Sequence, residues 1–255
     1  MRARTSLLVH AGTLLLALTV STPGLAQLST DTTRYSVIVN QVKPEMLNEW
    51  LDIQRNEINP LIKKGGITQR TVLANVLGNT YEYASISPLE SYAMYDPDSP
   101  ISRVLASPEG ARVLAKLRKC VTSSRTYTIA RVNDISSPPD PKNPPLVSIS
   151  TRIRIANGKA LEYENLIKNE MAPIYRKAKA EGKIAGYIFS RRQLGANVNE
   201  RTSTVYLNKF ADVEGGPTLT RLLGAEAAAK LTLKLSGLST TVETLLRRRV
   251  ADLSF

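Results

Sequence analysis

Histidine is almost missing from this chain. Among 255 residues there is a single one, His10, and a single cysteine, Cys120. His10 lies in an N-terminal stretch that reads as removable, so the mature chain is expected to hold no histidine. That removes the usual general base near neutral pH, the commonest metal ligand, and any Ser-His or Cys-His nucleophile pair. A lone cysteine cannot close an internal disulfide. Cys120 falls in the helical run Glu109 to Val121 and is expected to be a buried, inert thiol. Structural zinc lacks its Cys and His clusters. No glycine-rich phosphate loop, G-x-S-x-G elbow or acidic metal loop occurs either. Asp96 and Asp98, in Tyr-Asp-Pro-Asp-Ser-Pro, read as a proline-kinked loop. No cofactor and no metal are expected.

The removable stretch has the layout of a secretory signal. Arg2 and Arg4 make a positive start, Leu7 to Val20 is apolar, and Pro23 to Ala26 supply a helix breaker and small residues before Gln27. The apolar part is short for a membrane span of ~20 residues. No cysteine follows it to carry a lipid. Residues 1–26 are therefore read as a signal peptide, and the protein as periplasmic or secreted, with no membrane insertion after cleavage.

Of the 34 basic residues only Arg2 and Arg4 leave with the signal, so 32 face 22 acidic ones and the mature charge is +10. The basic residues are dispersed, apart from Arg247-Arg248-Arg249, and no nucleic-acid module appears. The charge reads as a solvated surface, with no nucleic acid as partner.

One seam divides the chain: residues 136–145 hold five prolines and form a stiff connector. Either side of it the same order of elements can be read. Tyr35 to Val42 is a strand, and a helix runs from Pro44 to Lys64, stopped by Gly65-Gly66. Ile67 to Leu77 and Tyr81 to Ser87 are strands about the turn Gly78-Asn79. After a loop with Pro88, Pro97 and Pro100 come a helix, Pro108 to Val121, and a strand, Arg125 to Asn133. Beyond the seam, Val147 to Ile155 is a strand and Lys159 to Glu181 a helix. Strands Ile184 to Gln193 and Thr202 to Phe210, a helix Ala225 to Leu235 and a strand Thr241 to Asp252 follow. Each half, 34–135 and 146–255, reads β-α-β-β-α-β, the ferredoxin-like order.

A residue-level match supports an internal repeat. At an offset of 113, Glu49, Asn56, Glu57, Pro60 and Lys64 meet Glu162, Asn169, Glu170, Pro173 and Lys177. Five identities fall in sixteen positions, where average composition gives about one.

This α+β pattern of two tandem ferredoxin-like halves, with the repeated helix segment E-x6-N-E-x2-P-x3-K, resembles the dimeric α+β barrel superfamily. Antibiotic-biosynthesis monooxygenases, NIPSNAP-like proteins and chlorite-dismutase-like haem proteins are its members. The resemblance implies an internal pseudo-dimer whose sheets pack face to face, with ligand held between a half's helices and its sheet, and it allows a homodimer. The haem branch binds iron through a histidine that the mature chain lacks, so haem is not expected.

The candidate pocket follows from the repeated helix. Its apolar stripe runs Leu47, Trp50, Gln54, Ile58, Leu61 in the first half and Ala160, Tyr163, Ile167, Met171, Ile174 in the second. Glu57 and Glu170 sit on or beside the face turned to the sheet, where a carboxylate costs several kcal/mol unless paired. Either each reaches a strand arginine, or one serves a pocket as an acid or base with a raised pKa. Asn56, Asn169, Trp50 and Tyr163 complete the candidates, the two aromatics being core residues or a ligand platform. In strand Val147–Ile155, Ser148, Ser150, Arg152 and Arg154 share the face opposite the apolar one. Arg125 and Arg131 also share a face of their strand, Arg70 and Arg191 are in strand positions too, and some of these arginines would be partly buried between packed sheets.

Two functions are open. One is a small-ligand-binding or accessory protein without a cofactor; the other is a cofactor-independent monooxygenase or isomerase of the antibiotic-biosynthesis-monooxygenase type. An enclosed apolar cavity with convergent polar groups favours the enzyme, and a filled helix-sheet interface the binding protein.

Overall fold

The structure is a computed structural model that describes residues 28–255, so the expected signal segment and its cleavage site lie outside the described residues. Strand β1 spans Thr32–Val42. A continuous helix, α1, covers residues 44–64: a 3-10 turn Pro44–Met46, α-helix Leu47–Ile53, a π turn Gln54–Ile58 and α-helix Asn59–Lys64. Strands β2 (Thr71–Asn75) and β3 (Glu82–Pro88) form the hairpin. Helices α2 (Pro100–Ala106) and α3 (Pro108–Lys119) lead to β4 (Val121–Val132). After the proline-rich connector come β5 (Val147–Ile155) and α4 over residues 160–180, with its own π turn Ile167–Met171. Strands β6 (Gly186–Arg192) and β7 (Glu200–Leu207), helices α5 (Thr218–Leu223) and α6 (Ala225–Ser236), and β8 (Ser239–Arg249) complete it.

Prolines explain the two π turns. Proline has no N–H and its ring collides with the carbonyl four residues back. Just before Pro60 the helix bonds five residues back instead, Asn59 N–H to the Gln54 carbonyl. Just before Pro173, Ala172 N–H does the same to Ile167. The helix widens by one residue and continues.

Helix α2 is the main departure from the sequence reading, which made this stretch a loop. Pro100 is a helix starter here: it follows Ser99, whose hydroxyl accepts the Ser102 N–H. Ser107 and Pro108 repeat the device for α3. Helix α5 was likewise not anticipated, and β4 starts at Val121, straight after Cys120, four residues earlier than read. Cys120 is fully buried, and burial pushes its thiol pKa up.

The eight strands close an antiparallel barrel in the order β1-β3-β2-β8-β5-β7-β6-β4. Within it, β4-β1-β3-β2 and β8-β5-β7-β6 follow the same order. The two four-stranded sheets were expected to pack face to face; instead their edges are hydrogen-bonded. One seam pairs Leu73, Ala74 and Asn75 of β2 with Arg249, Arg248 and Arg247 of β8. The other pairs Ile129, Ala130 and Arg131 of β4 with Arg192, Arg191 and Ser190 of β6. The connector is also tied down: Ser137 pairs with Tyr187 through two backbone hydrogen bonds of 2.7 and 2.8 Å.

Helices cover the outside. Around α1, Trp50, Ile53, Ile58 and Leu61 pack on Val72, Ala74 and Tyr83. Around α4, Tyr163, Ile167, Met171 and Tyr175 pack on Val147, Ile155, Tyr187 and Phe189. Strand alternation sends the other side chains into the barrel: Val37, Val39 and Ala84 cluster there, with Ile86, Tyr127 and Ile129 packed on them. On β5 that inner face carries Ser148, Ser150, Arg152 and Arg154.

Helix α3 starts so close to α2 that a Cβ on Gly110 would meet the backbone carbonyl oxygens of Val104 and Leu105 at 2.3 and 2.6 Å. Backbone cannot swing aside, so Gly110→Ala should cost about 1–3 kcal/mol in urea denaturation, against the ~1 kcal/mol that helix propensity alone would return.

Candidate functional site

The sequence-derived candidates do not converge on one cavity. Trp50 and Tyr163 are core residues: neither keeps more than 1% exposure, Trp50 lies 4.6 Å from the Tyr83 ring, and Tyr163 stacks on Phe189 at 6.1 Å. Tyr175 and Tyr187 stack at 4.2 Å beside them. Burial pushes the Tyr163 and Tyr175 phenols far up and that of Tyr187 up to about 12. All three stay neutral at physiological pH, which suits packing and not proton transfer. The helix-sheet space of each half is filled.

Asn56 and Asn169 are exposed. Glu57 and Glu170 lie in the two π turns, on the flanks facing α3 and α6. Neither reaches a strand arginine. Glu57 takes Lys116 Nζ of α3 at 3.0 and 3.2 Å and Arg112 Nη1 at 3.1 Å. Glu170 takes Lys234 Nζ of α6 at 2.8 and 2.7 Å. Lys116, then Arg112, holds the Glu57 carboxyl below the usual carboxylate range, so it is not the raised acid that one reading required. Asn56 and Glu57 do share a shallow groove of about 510 Å³ with Glu49, Asp52, Ile53 and Lys116, open to solvent.

Of the buried polar residues between helix and sheet, Gln54 stood on the traced stripe and Arg70 and Arg191 were read as strand arginines, whereas Asn59, Glu164 and Arg201 were not anticipated. In the first half Arg70, 5% exposed, donates to Asn59 Oδ1 at 2.6 Å, Gln54 Oε1 at 2.7 Å and Ser85 Oγ at 2.8 Å. These acceptors are neutral, and burial lowers its pKa to about 10. In the second half a carboxylate does the work. Glu164, 5% exposed, accepts Arg191 Nε and Nη2 at 2.8 and 2.5 Å and Arg201 Nε at 3.0 Å. The signal was available: Gln54 occupied a stripe position, and Glu164 lies four after Ala160 and three before Ile167, on the same buried face.

At the barrel's inner face, Glu200 gathers Arg152 at 3.2 Å, Arg154 at 2.9 Å and Arg192 at 3.7 Å. Burial alone would raise its pKa; the hydrogen bonds from Arg154 and Arg152 outweigh that and hold it below the usual range. Among the described residues no cluster of three or more His, Cys, Asp or Glu side chains is poised for a metal. No described helix is long and apolar enough to cross a membrane.

Solved structures share this architecture. A protein proposed to be a monooxygenase from Lactobacillus acidophilus aligns over 86% of this chain and 94% of its own, at 9% identity and a TM-score of 0.59. A second such protein, from Fusobacterium nucleatum, covers 87% and 94% at 11% identity and 0.57. The fold is the dimeric α+β barrel. An anthrone oxidase-like protein aligns over 87% of this chain and 92% of its own, at 11% identity and a TM-score of 0.52. At such identities the likeness concerns the barrel fold alone. No family profile and no curated protein sequence matches the chain.

Two predictions follow from the geometry. Glu164→Gln would strand two buried guanidiniums and should cost about 3–5 kcal/mol, whereas Glu57→Gln and Glu170→Gln should each stay within ~1 kcal/mol. Urea midpoints compare them, and equal losses would remove the distinction. Glu57 and Glu200 have folded pKa values below their unfolded ones. Their contribution is therefore present above about pH 4.3, the ordinary glutamate value, and is lost as pH falls through the folded value. The melting temperature should drop between about pH 5 and 3, and Glu200→Gln should lie closer to wild type at pH 3 than at pH 7.

Proposed function

We propose that the mature chain is an exported protein that binds a small molecule, or assists a partner that does, without a cofactor. It is read as two ferredoxin-like halves, 34–135 and 146–255, fused across the linker 136–145 into an internal pseudo-dimer. Three repeated features support the duplication: the strand order, π turns at the sequence offset of 113, and a glutamate of each half's first helix bonded to a lysine of its last. The signal-like order of residues 1–26 supports export.

The observation that carries the binding role is the filled helix-sheet interface. An oxygenase needs room for its substrate beside polar groups, and here Trp50, Tyr83, Tyr163, Phe189, Tyr175 and Tyr187 occupy that room. The second reading, a cofactor-independent monooxygenase or isomerase, draws support from the fold shared with proteins proposed to be monooxygenases. A homodimer, the remaining partner reading, would use outer surfaces or the stretches of β4 and β8 that extend beyond the two three-residue seams.

Native mass spectrometry of protein purified from its own host tests the proposal. The expected species is residues 27–255 with a small molecule retained. The mass of the full 255-residue chain would overturn export. Sustained oxygen uptake with an anthrone would overturn the binding role in favour of the second reading.

A further inference from the structure

The two barrel seams are much shorter than the strands they join. Strand β4 starts at Val121, yet only Ile129, Ala130 and Arg131 meet β6 in register, with Thr128 bonded to the Gln193 and Leu194 backbone. Strand β8 starts at Ser239, yet it meets β2 only through Arg247, Arg248 and Arg249, with the Val76 N–H on the Leu246 carbonyl. Before those points each strand is paired on one side alone, β4 with β1 and β8 with β5. Thr122, Ser123, Ser124 and Arg125 are all exposed, as are Thr240, Thr241 and Thr244. The β6–β7 turn reaches only as far as Thr126, whose carbonyl oxygen lies 2.6 Å from where a Cβ on Gly195 would stand.

Alternate residues of a strand turn their N–H and C=O to the same edge. Thr128 faces β6 and the Leu246 carbonyl faces β2, so Ser124 and Thr244 turn theirs to the bare edges. Natural edges are blunted by proline, lysine or a bulge. Each arm has one bulge, opposite Gln41/Val42 and Arg152/Ile153, but neither contains proline or lysine. The arms also stand at the same end of the barrel. The antiparallel steps β4-β6-β7-β5-β8 bring β4 and β8 into one direction, half-way round from each other. Beside them the turn residues Leu77 and Leu194 are 66% and 63% exposed.

Each arm carries a single charge, the fifth residue of its strand in both cases. Over 121–127 it is Arg125, 59% exposed; over 239–245 it is Glu243, 37% exposed. Both lie on the barrel's inner face, Arg125 at 3.7 Å from Glu82 and Glu243 at 3.1 Å from Arg152. We infer that a second copy of this chain docks end to end on this rim, its β8 arm pairing with β4 and its β4 arm with β8. A two-fold axis across the barrel reverses strand direction, so both pairings are antiparallel. The same axis turned by a quarter would set β4 on β4 and β8 on β8, with Arg125 near its own image and Glu243 near its own. Like charges across a strand pair are destabilising, and opposite ones favourable. Charge therefore selects the crossed pairing, in which Arg125 comes within direct or diagonal reach of the partner's Glu243. The inference rests on the homodimer reading and names its surface, while export and ligand binding are independent of it.

Sedimentation equilibrium of the mature chain at constant ionic strength tests it, with circular dichroism to confirm the fold of each variant. The wild-type chain should dimerise. Arg125→Glu and Glu243→Arg should each weaken the dimer about tenfold or more, since like charges then meet at both seams. The variant carrying both changes should return to within about threefold of wild type, and an equal mixture of the two single variants should do the same. Ser124→Pro removes an N–H that bonds nothing among the described residues, and should abolish the dimer with the dichroism unchanged. Lys142→Ala, on the connector at the opposite end, should change nothing. A chain that stays monomeric up to about 100 µM would overturn the inference and the homodimer reading together. A dimer unmoved by Arg125→Glu and by Ser124→Pro would overturn this surface alone. A double variant no tighter than the single ones would overturn the pairing of Arg125 with Glu243.

Discussion

Everything in this molecule hangs on two short hydrogen-bonded seams. A four-stranded sheet with helices on one face still has two bare edges, and bare edges invite pairing with other chains. Here each edge is met by the other sheet over three residue pairs, β2 with β8 and β4 with β6. Closure fixes the strand register, and register decides which side chains point inward. A slip of one residue at either seam would turn Arg247 or Arg192 toward the helices and bring apolar residues into the lumen. The polar interior and the apolar outer faces of the sheets are thus one decision made twice.

The two helix-sheet interfaces solve one electrostatic problem in different ways. Both bury guanidiniums against the sheet. In the second half a single carboxylate, Glu164, is shared by Arg191 and Arg201. In the first, Arg70 has only amide and hydroxyl oxygens, and its lowered pKa records the missing counter-charge. A buried ion pair returns little net stability but is costly to break. The second arrangement should therefore be the more brittle towards substitution, and the first the more tolerant. Neither opens space for a ligand, because the aromatic rings beside them close it.

Much of the architecture was legible locally. Pro44 and Gly65 bracket the first long helix, and β5 was readable to both ends from alternation alone. Alternation also sorted Arg152 and Arg154 away from the apolar face. What could not be read was what stood opposite them, since closure joins strands far apart in sequence and no local pattern encodes that. Helix α2 was missed because Pro100 was weighed as a breaker without its Ser99 cap. Glu164 was missed because the stripe was traced through apolar residues, although a buried polar residue on that stripe carries more information than another leucine. Glu57 and Glu170 were singled out with strand arginines as expected partners, but their partners stand on another helix, a contact that depends on how the helices lie across the sheet.

One chain closing its own barrel has a consequence for what the interior can become. When two identical chains meet about a twofold axis, every residue placed on one wall is imposed on the other, so an arginine gained is gained twice and faces its own image. This barrel is free of that bookkeeping. Val37 and Val39 can line one wall while Ser148 and Arg152 line its counterpart, and the interior acquires a direction, with a greasy side and a charged side. On the axis of a symmetric pair two facing walls must be alike, and here they need not be.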